Sequence, residues 1–208
     1  IAETVIWEFG IKWTKKSGGD TVIDPLISLA FSVYSNKGVY ALFLGSGVSR
    51  AAEIPTSWEI VTDLIRKLAK INGEDCEPDP DLWYEKKYEE KPSYSRLLNA
   101  LADTSSERNQ LLKAYFEPTD EEREQGKKIP TEAHKAIAQL IAKGYIRVII
   151  TTNFDRLLEK SLEEISFTPA VISTPDSAEG ALPIAHSACT IIKVHGDYLD
   201  TRIKNTTE

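Results

Sequence analysis

The chain has 208 residues, of which 41% are hydrophobic and 27% charged, an ordinary globular usage that argues against a largely disordered polypeptide. Twenty-five basic against 32 acidic residues leave a formal net charge of −7, a poor basis for non-specific nucleic-acid binding, which needs clustered Lys and Arg. No apolar run approaches the ~20 residues that span a bilayer, and Ile1 to Lys16 resembles no signal peptide. The expectation is therefore a cytoplasmic chain with no membrane contact and no direct nucleic-acid contact.

Cys76 and Cys189 lie far apart, which supports neither a disulfide scaffold nor a four-thiolate zinc site. They read as two free, buried thiols, and no metal is expected. There is no methionine and the first residue is Ile, so the chain reads as an excerpt of a longer one.

Residues 1–20 fit neither helical nor strand periodicity, and Trp7 and Trp13 beside apolar neighbours make this segment a candidate assembly contact. Asp24-Pro25 reads as a helix start, followed by Leu26, Ile27, Ala30, Phe31 and Tyr34 at helical spacing and by a stop at Asn36 and Gly38. Val39 to Leu44 is a short apolar run of the length of a strand buried on both faces. It ends at Gly45-Ser46-Gly47-Val48-Ser49-Arg50. Thr56 with Glu59 predicts a capping box, opening a helix along Ile60, Val61, Leu64, Ile65 and Leu68 that stops at Gly73.

The character changes between about 74 and 130. Two acidic stretches flank Tyr84, Tyr88, Leu97, Leu98, Leu101, Leu111, Leu112 and Phe116, which recur at helix-like spacing. This region reads as a small helical module inserted into the main fold, and its charge runs read as solvated faces. Beyond it, Thr131 predicts an N-cap, and Ala133, Ile137, Leu140 and Ile141 predict a helix ended by Gly144. His134, in the first turn of that helix, reads as a surface residue.

Ile146 to Thr151 is a second strand-like run, ending at Thr152-Asn153-Phe154-Asp155, and Leu157, Leu158 and Leu162 mark a helix after it. Thr190 to Val194 is a third, ending at His195-Gly196-Asp197. Strands alternating with helices predict an α/β fold: a Rossmann-like parallel sheet with helices on both faces and the inserted helical module. In such sheets ligands sit beyond the carboxyl ends of the strands. All three strand ends here carry small, polar, chemically capable residues, which points to a shared site.

Gly45-Ser46-Gly47 suits a close backbone approach to phosphate, since glycines permit φ > 0 and loop N–H groups can donate to an anion. Arg50 stands where a full dinucleotide fingerprint needs a third glycine, and the absence of Gly-Lys-Ser/Thr excludes a P-loop. A tight strand-to-helix turn is the alternative. Asp155 alone could be a helix cap and Asn153 a turn stabiliser, though an amide at a strand end could equally hold a water or a sugar hydroxyl. His195 follows a buried strand directly, where an imidazole can take a proton near neutral pH. His186 has no motif around it.

Together, in order and spacing, these clusters resemble the sirtuin family. That family has a Gly-Ala-Gly-x-Ser loop followed by Gly-Ile-Pro, then Gln-Asn-Ile-Asp, then His-Gly. This chain has Gly45-Ser46-Gly47-Val48-Ser49, Glu53-Ile54-Pro55, Thr152-Asn153-Phe154-Asp155 and His195-Gly196, a likeness that runs from about residue 39 to 200. The resemblance implies a domain at 21–208 that binds NAD and cleaves its nicotinamide–ribose bond. By the same resemblance Gly45, Ser46, Gly47, Ser49 and Thr152 would line the pyrophosphate and ribose, and Ile54 and Pro55 would wall the nicotinamide. Asn153 would fix the ribose or the attacking water, Asp155 the carboxamide, and His195 would be the general base.

Three departures direct the resemblance further. Thr56-Ser57-Trp58 replaces the Asp-Phe-Arg of deacetylase sirtuins, Thr152 replaces Gln, and the four zinc cysteines are missing. The chain thus looks like the divergent bacterial sirtuin-domain proteins of antiphage defence, which hydrolyse NAD, oligomerise and in some cases work with a hexameric DNA-translocase-type ATPase. The family's sheet continues after the His-Gly strand, so the C-terminal part of the fold, with its adenosine-side residues, reads as missing from Thr201 to Glu208 onward. The competing expectations are a non-catalytic NAD or ADP-ribose sensor gating a partner domain, and an NAD-dependent deacylase or ADP-ribosyltransferase.

Overall fold

The structure is a computed structural model that describes residues 24–199. The N-terminal segment read as an assembly contact and the C-terminal end read as a truncated fold lie outside the described residues. Among those described, α1 (Pro25–Ser35) leads into β1 (Tyr40–Leu44), which is followed by a 3₁₀ segment (Ser46–Ala52) and α2 (Ser57–Ile71). Four helices come next: α3 (Pro80–Tyr88), α4 (Tyr94–Leu101), α5 (Ser105–Phe116) and the short α6 (Asp120–Glu124). The chain then runs through α7 (Glu132–Ala142), β2 (Ile146–Thr151), α8 (Leu157–Glu164), β3 (Ala170–Ile172), α9 (Pro175–Glu179) and β4 (Thr190–Lys193).

Several of the helices start where the sequence supplies a side-chain acceptor for their first N–H groups, though Ser93 ahead of α4 makes no such bond. Asp24 accepts from the backbone of Leu26 with Pro25 at the first helical position. Thr56 and Glu59 form the expected reciprocal box, and Thr104 with Glu107 and Thr119 with Glu122 repeat it in the helical module.

The four strands form one parallel sheet in the order β1–β2–β4–β3. The fold is thus a Rossmann-like α/β arrangement. The register matters for function. Leu44 of β1 is level with Thr151 of β2, and Thr151 is level with Lys193 of β4. The ladder runs one step further, with the Thr152 N–H on the Leu44 carbonyl at 3.1 Å and the Val194 N–H on the Thr151 carbonyl at 3.0 Å. The three loops that follow therefore leave the sheet side by side.

One strand expectation needs correction, and one strand was not foreseen. Among the described residues β1 is an edge strand, and the face bearing Val39, Ala41 and Phe43 is exposed, with Phe43 71% accessible. An unbroken apolar run shows strand length but cannot tell a central position from an edge. β3 has only three residues and follows Pro169, too brief for alternation to register, yet it pairs with β4. Gly38 explains how β1 can start beside β2. Its φ of +72° is in the left-handed region, its N–H bonds the Tyr145 carbonyl at 3.0 Å, and a Cβ there would lie 2.8 Å from Cδ of Arg147.

Two apolar clusters flank the strand ends. Ala138 and Ile141 of α7 and Leu158 and Leu162 of α8 pack with Ile146, Ile149 and Ile191 of the sheet. The other joins Ile60, Leu64, Ile65 and Leu68 of α2 to Tyr84, Leu97, Leu98, Leu112 and Phe116 of the helical module, and reaches the strand ends through Phe154, Leu157 and Tyr198. Both cysteines are buried and free, and burial pushes the Cys189 thiol up to about 11, which removes it as a nucleophile.

Lys193 ends β4 fully inside the protein. Its ammonium donates to the carbonyls of Phe154 at 3.3 Å and Asp155 at 2.7 Å, and pairs with Glu159 at 3.1 Å and Asp197 at 2.9 Å. Arg156 stands 3.7 Å from Asp197, so two cations balance two carboxylates. Replacing Lys193 by Met removes the donor from Glu159 and from the Asp155 carbonyl, while Asp197 keeps Arg156 and the Leu199 N–H and the Phe154 carbonyl keeps the Tyr198 N–H. Lys193→Met is expected to cost about 3–5 kcal/mol in urea unfolding, and adding Glu159→Leu to recover part of it. A loss under about 1 kcal/mol would show that the network does not hold the strand ends.

Candidate active site

Beyond the aligned strand ends lies a pocket of about 140 Å³. Ser46, Ser49, Ile54, Pro55, Thr152, Asn153, Asp155 and His195 all line it, so eight of the ten residues singled out from the sequence meet in one place. Gly45 and Gly47 do not line it. Four lining residues were not singled out: Ser57 and Ile60 of α2, Phe116 of α5, and Phe154. Their apolar side chains belong to the helical core, which is why periodicity assigns them to packing alone.

The polar floor is organised by Ser49, which is 1% exposed. Its hydroxyl donates to Oδ2 of Asp155 at 2.8 Å. That spends its only proton, so toward its other neighbours it can only accept. It accepts from Nδ2 of Asn153 at 3.2 Å and faces Nε2 of His134 at 3.4 Å. With Nδ2 committed to Ser49, the other amide atom of Asn153, Oδ1, is buried and has no hydrogen-bond partner. An unmet buried carbonyl costs about 1–3 kcal/mol and is the acceptor left for a bound hydroxyl or water.

Asp155 uses its two oxygens on different partners. Its Oδ1 accepts from the Leu157 N–H at 3.1 Å at the start of α8, while its Oδ2 holds Ser49. The expected surface position of His134 is overturned: it is 1% exposed. At the third helical position its ring turns back over the N-terminus of α7. There Nδ1 accepts from the Thr131 N–H at 3.2 Å and lies 2.8 Å from the Thr131 hydroxyl. Burial lowers its pKa, and Asp155 opposes that shift.

The glycine loop also departs from expectation. Gly45 has φ −115° and ψ −178°, extended backbone open to any residue, and Gly47 is not in the left-handed region either. A Cβ on Gly47 would meet nothing within 4 Å, so the protein itself does not demand glycine there. The left-handed residue is Glu53, at φ 57° and ψ 28°, where the sirtuin motif has glycine. A non-glycine residue holds that conformation at a cost of about 1–2 kcal/mol, and Lys127 pairs with the Glu53 carboxylate at 3.0 Å.

His195 is half-buried, with its ring centroid 6.1 Å from that of Phe154. Gly196 follows at φ 94°, a conformation that turns the chain away from β4. His186 is exposed. Among the described residues no cluster of three His, Cys, Asp or Glu could hold a metal, and no helix is long and apolar enough to cross a membrane.

Residues 147–208 match the family model described as the SIR2-like domain. The match supports a sirtuin-like domain and an NAD-related function in general, in keeping with NAD-dependent enzymes. It includes the Asn153 and His195 strand ends and leaves out the glycine loop. No curated protein matches the chain.

The lowered pKa of His134 has a consequence for stability. Its ordinary value is near 6.5, and the folded value lies below it. Between the two the unfolded chain binds a proton that the native protein does not, so stability falls as pH drops through that window. Urea unfolding at about pH 7 and pH 5.5 is expected to show a larger loss in the wild type than in His134→Gln. Equal losses would place the titration elsewhere.

Proposed function

We propose that this domain is an NAD glycohydrolase, cleaving NAD to nicotinamide and ADP-ribose, and that it serves antiphage defence by depleting NAD. The observation that carries the reading is the buried, unpartnered Oδ1 of Asn153 in a pocket that also contains His195. A binding module needs an apolar slot and an anion loop. An oriented acceptor beside an imidazole is what a hydrolase needs to hold and deprotonate water.

The residues fit one end of a dinucleotide. A pocket of about 140 Å³ is smaller than the ~300–1,000 Å³ that enclose a whole drug-sized ligand. It takes a ring, with Ile54, Pro55, Ile60 and Phe116 as its apolar wall, while the rest of the ligand would lie along Gly45-Ser46-Gly47. The open space at the Gly47 Cβ position allows a phosphate to approach the backbone there. Asn153 would hold a ribose hydroxyl or the attacking water through Oδ1, and His195 would take the water's proton. Asp155 keeps the floor in place and, with Thr152 and Ser46, bounds the polar side. NAD supplies the scissile glycosidic bond, whose leaving group departs neutral, so no acid is required of the protein. Homo-oligomerisation and a hexameric DNA-translocase-type ATPase partner belong to the same proposal and rest on the family resemblance.

The test incubates the full-length protein with NAD and follows nicotinamide and ADP-ribose by chromatography. Asn153→Ala and His195→Ala are each expected to slow release by about 10²-fold or more while keeping the wild-type unfolding midpoint. Saturable binding of NAD or ADP-ribose without release would replace the hydrolase with a sensor.

A further inference from the structure

Ser49 Oγ has one proton and two lone pairs, and three groups converge on it: buried Asp155 at 2.8 Å, half-buried Asn153 at 3.2 Å and buried His134 at 3.4 Å. Which group receives the proton decides which way the Asn153 amide can stand. These residues come from three different parts of the chain: the 3₁₀ segment, the first turn of α7 and the loop after β2. The proton assignment comes from the far side of the imidazole. Nδ1 of His134 accepts the Thr131 N–H at 3.2 Å, a backbone donor that cannot be reversed, and the Thr131 hydroxyl at 2.8 Å can turn its proton to the same lone pair, an arrangement that puts the ring proton on Nε2.

We propose that His134 is a positioning residue for Asn153: its Nε2–H occupies one lone pair of Ser49 Oγ, sends the hydroxyl proton to Asp155 and leaves the second lone pair for Asn153 Nδ2. The chain of donors then runs in a single direction, from the Thr131 N–H through the imidazole to the Ser49 hydroxyl and Asp155. At its end the amide of Asn153 has one permitted orientation, with Oδ1 as the free acceptor. The opposite tautomer would take the Ser49 proton and set the lone pairs of Ser49 against Oδ2 of Asp155. Burial favours the neutral ring that this arrangement needs. The consequence for turnover rests on the hydrolase reading above, whereas the relay itself is a property of the protein without NAD.

The experiment uses the full chain and two readouts. Long-range ¹⁵N–¹H spectra of the imidazoles, with His134 assigned by its loss in His134→Gln, report which nitrogen holds the proton. A neutral Nε2–H ring is expected, and Nδ1–H overturns the relay. This reading needs no folded variant at position 134 beyond the assignment. In a folded His134→Phe the side-chain amide signal of Asn153, assigned by its loss in Asn153→Asp, is expected to shift, and to return toward its place in His134→Gln, which restores an N–H donor. An unmoved amide signal overturns the proposal. In the nicotinamide assay His134→Phe is expected to lower kcat by about 10- to 100-fold, the usual scale for residues that orient a catalytic group. The KM for NAD is expected to change less, and His134→Gln to recover most of the rate. An unchanged kcat in His134→Phe overturns the positioning role. A wild type that neither binds nor cleaves NAD defeats the hydrolase reading alone, because the spectra still decide the relay.

Discussion

The arrangement depends first on one buried ammonium. Lys193 ends β4, and its charge is met by two carboxylates and by two carbonyls of the loop that leaves β2. Parallel strands share backbone hydrogen bonds only along their length, and past the last residue nothing in the ladder holds the loops together. A cation at that point supplies the missing tie, because carbonyl dipoles from one loop and carboxylates from its neighbours all converge on it. Burial makes the tie strict: every acceptor must be kept, since a stranded charge there is far more costly than on the surface.

The same loop is clamped from its other side. Lys193 holds the carbonyls of Phe154 and Asp155, while Ser49 holds the side chains of Asn153 and Asp155. Backbone and side chains of residues 153–155 are thus fixed by different elements, β4 from one strand end and the 3₁₀ segment from another. Loops at sheet ends are usually the mobile part of a fold. This one has almost no freedom left, which is the condition for a site whose groups must be in place before the ligand arrives.

How much of this was legible in the sequence follows from what each pattern encodes. Short apolar runs ending in polar clusters located β1, β2 and β4, and the rule that ligands sit beyond strand carboxyl ends gathered Ser49, Asn153, Asp155 and His195 correctly. Register was not legible, since nothing in Leu44, Thr151 or Lys193 says that they end level. Lys193 itself read as one more strand residue, because alternation cannot reveal a charge whose partners lie in loops. His134 was misplaced for a related reason. At the first turn of a helix a polar residue is usually solvated, and the contact that buries it is 85 residues away at Ser49. Glu53 was visible as a break in the glycine pattern, but only the backbone shows that it stands in the left-handed region.

The pocket has two halves of different origin. The floor is polar and belongs to the strand ends. The wall is apolar and comes from Ile54 and Pro55 ahead of α2, from Ile60 within it and from Phe116 at the end of α5. The helical module has no buried cluster of its own among the described residues; its side chains share one core with α2, Phe154 and Tyr198. The rings of Phe116 and Tyr198 stack at 5.1 Å, and the Tyr198 hydroxyl donates to Glu117 at 2.8 Å. Tyr198 follows His195 by three residues, so the wall is fastened to the segment that bears the imidazole. Apolar burial and that aromatic clamp fasten the module to the strand ends. Residues of the wall can then vary and reshape the slot for the ring, while the hydrogen-bonded floor, anchored by Lys193 and Ser49, stays where it is.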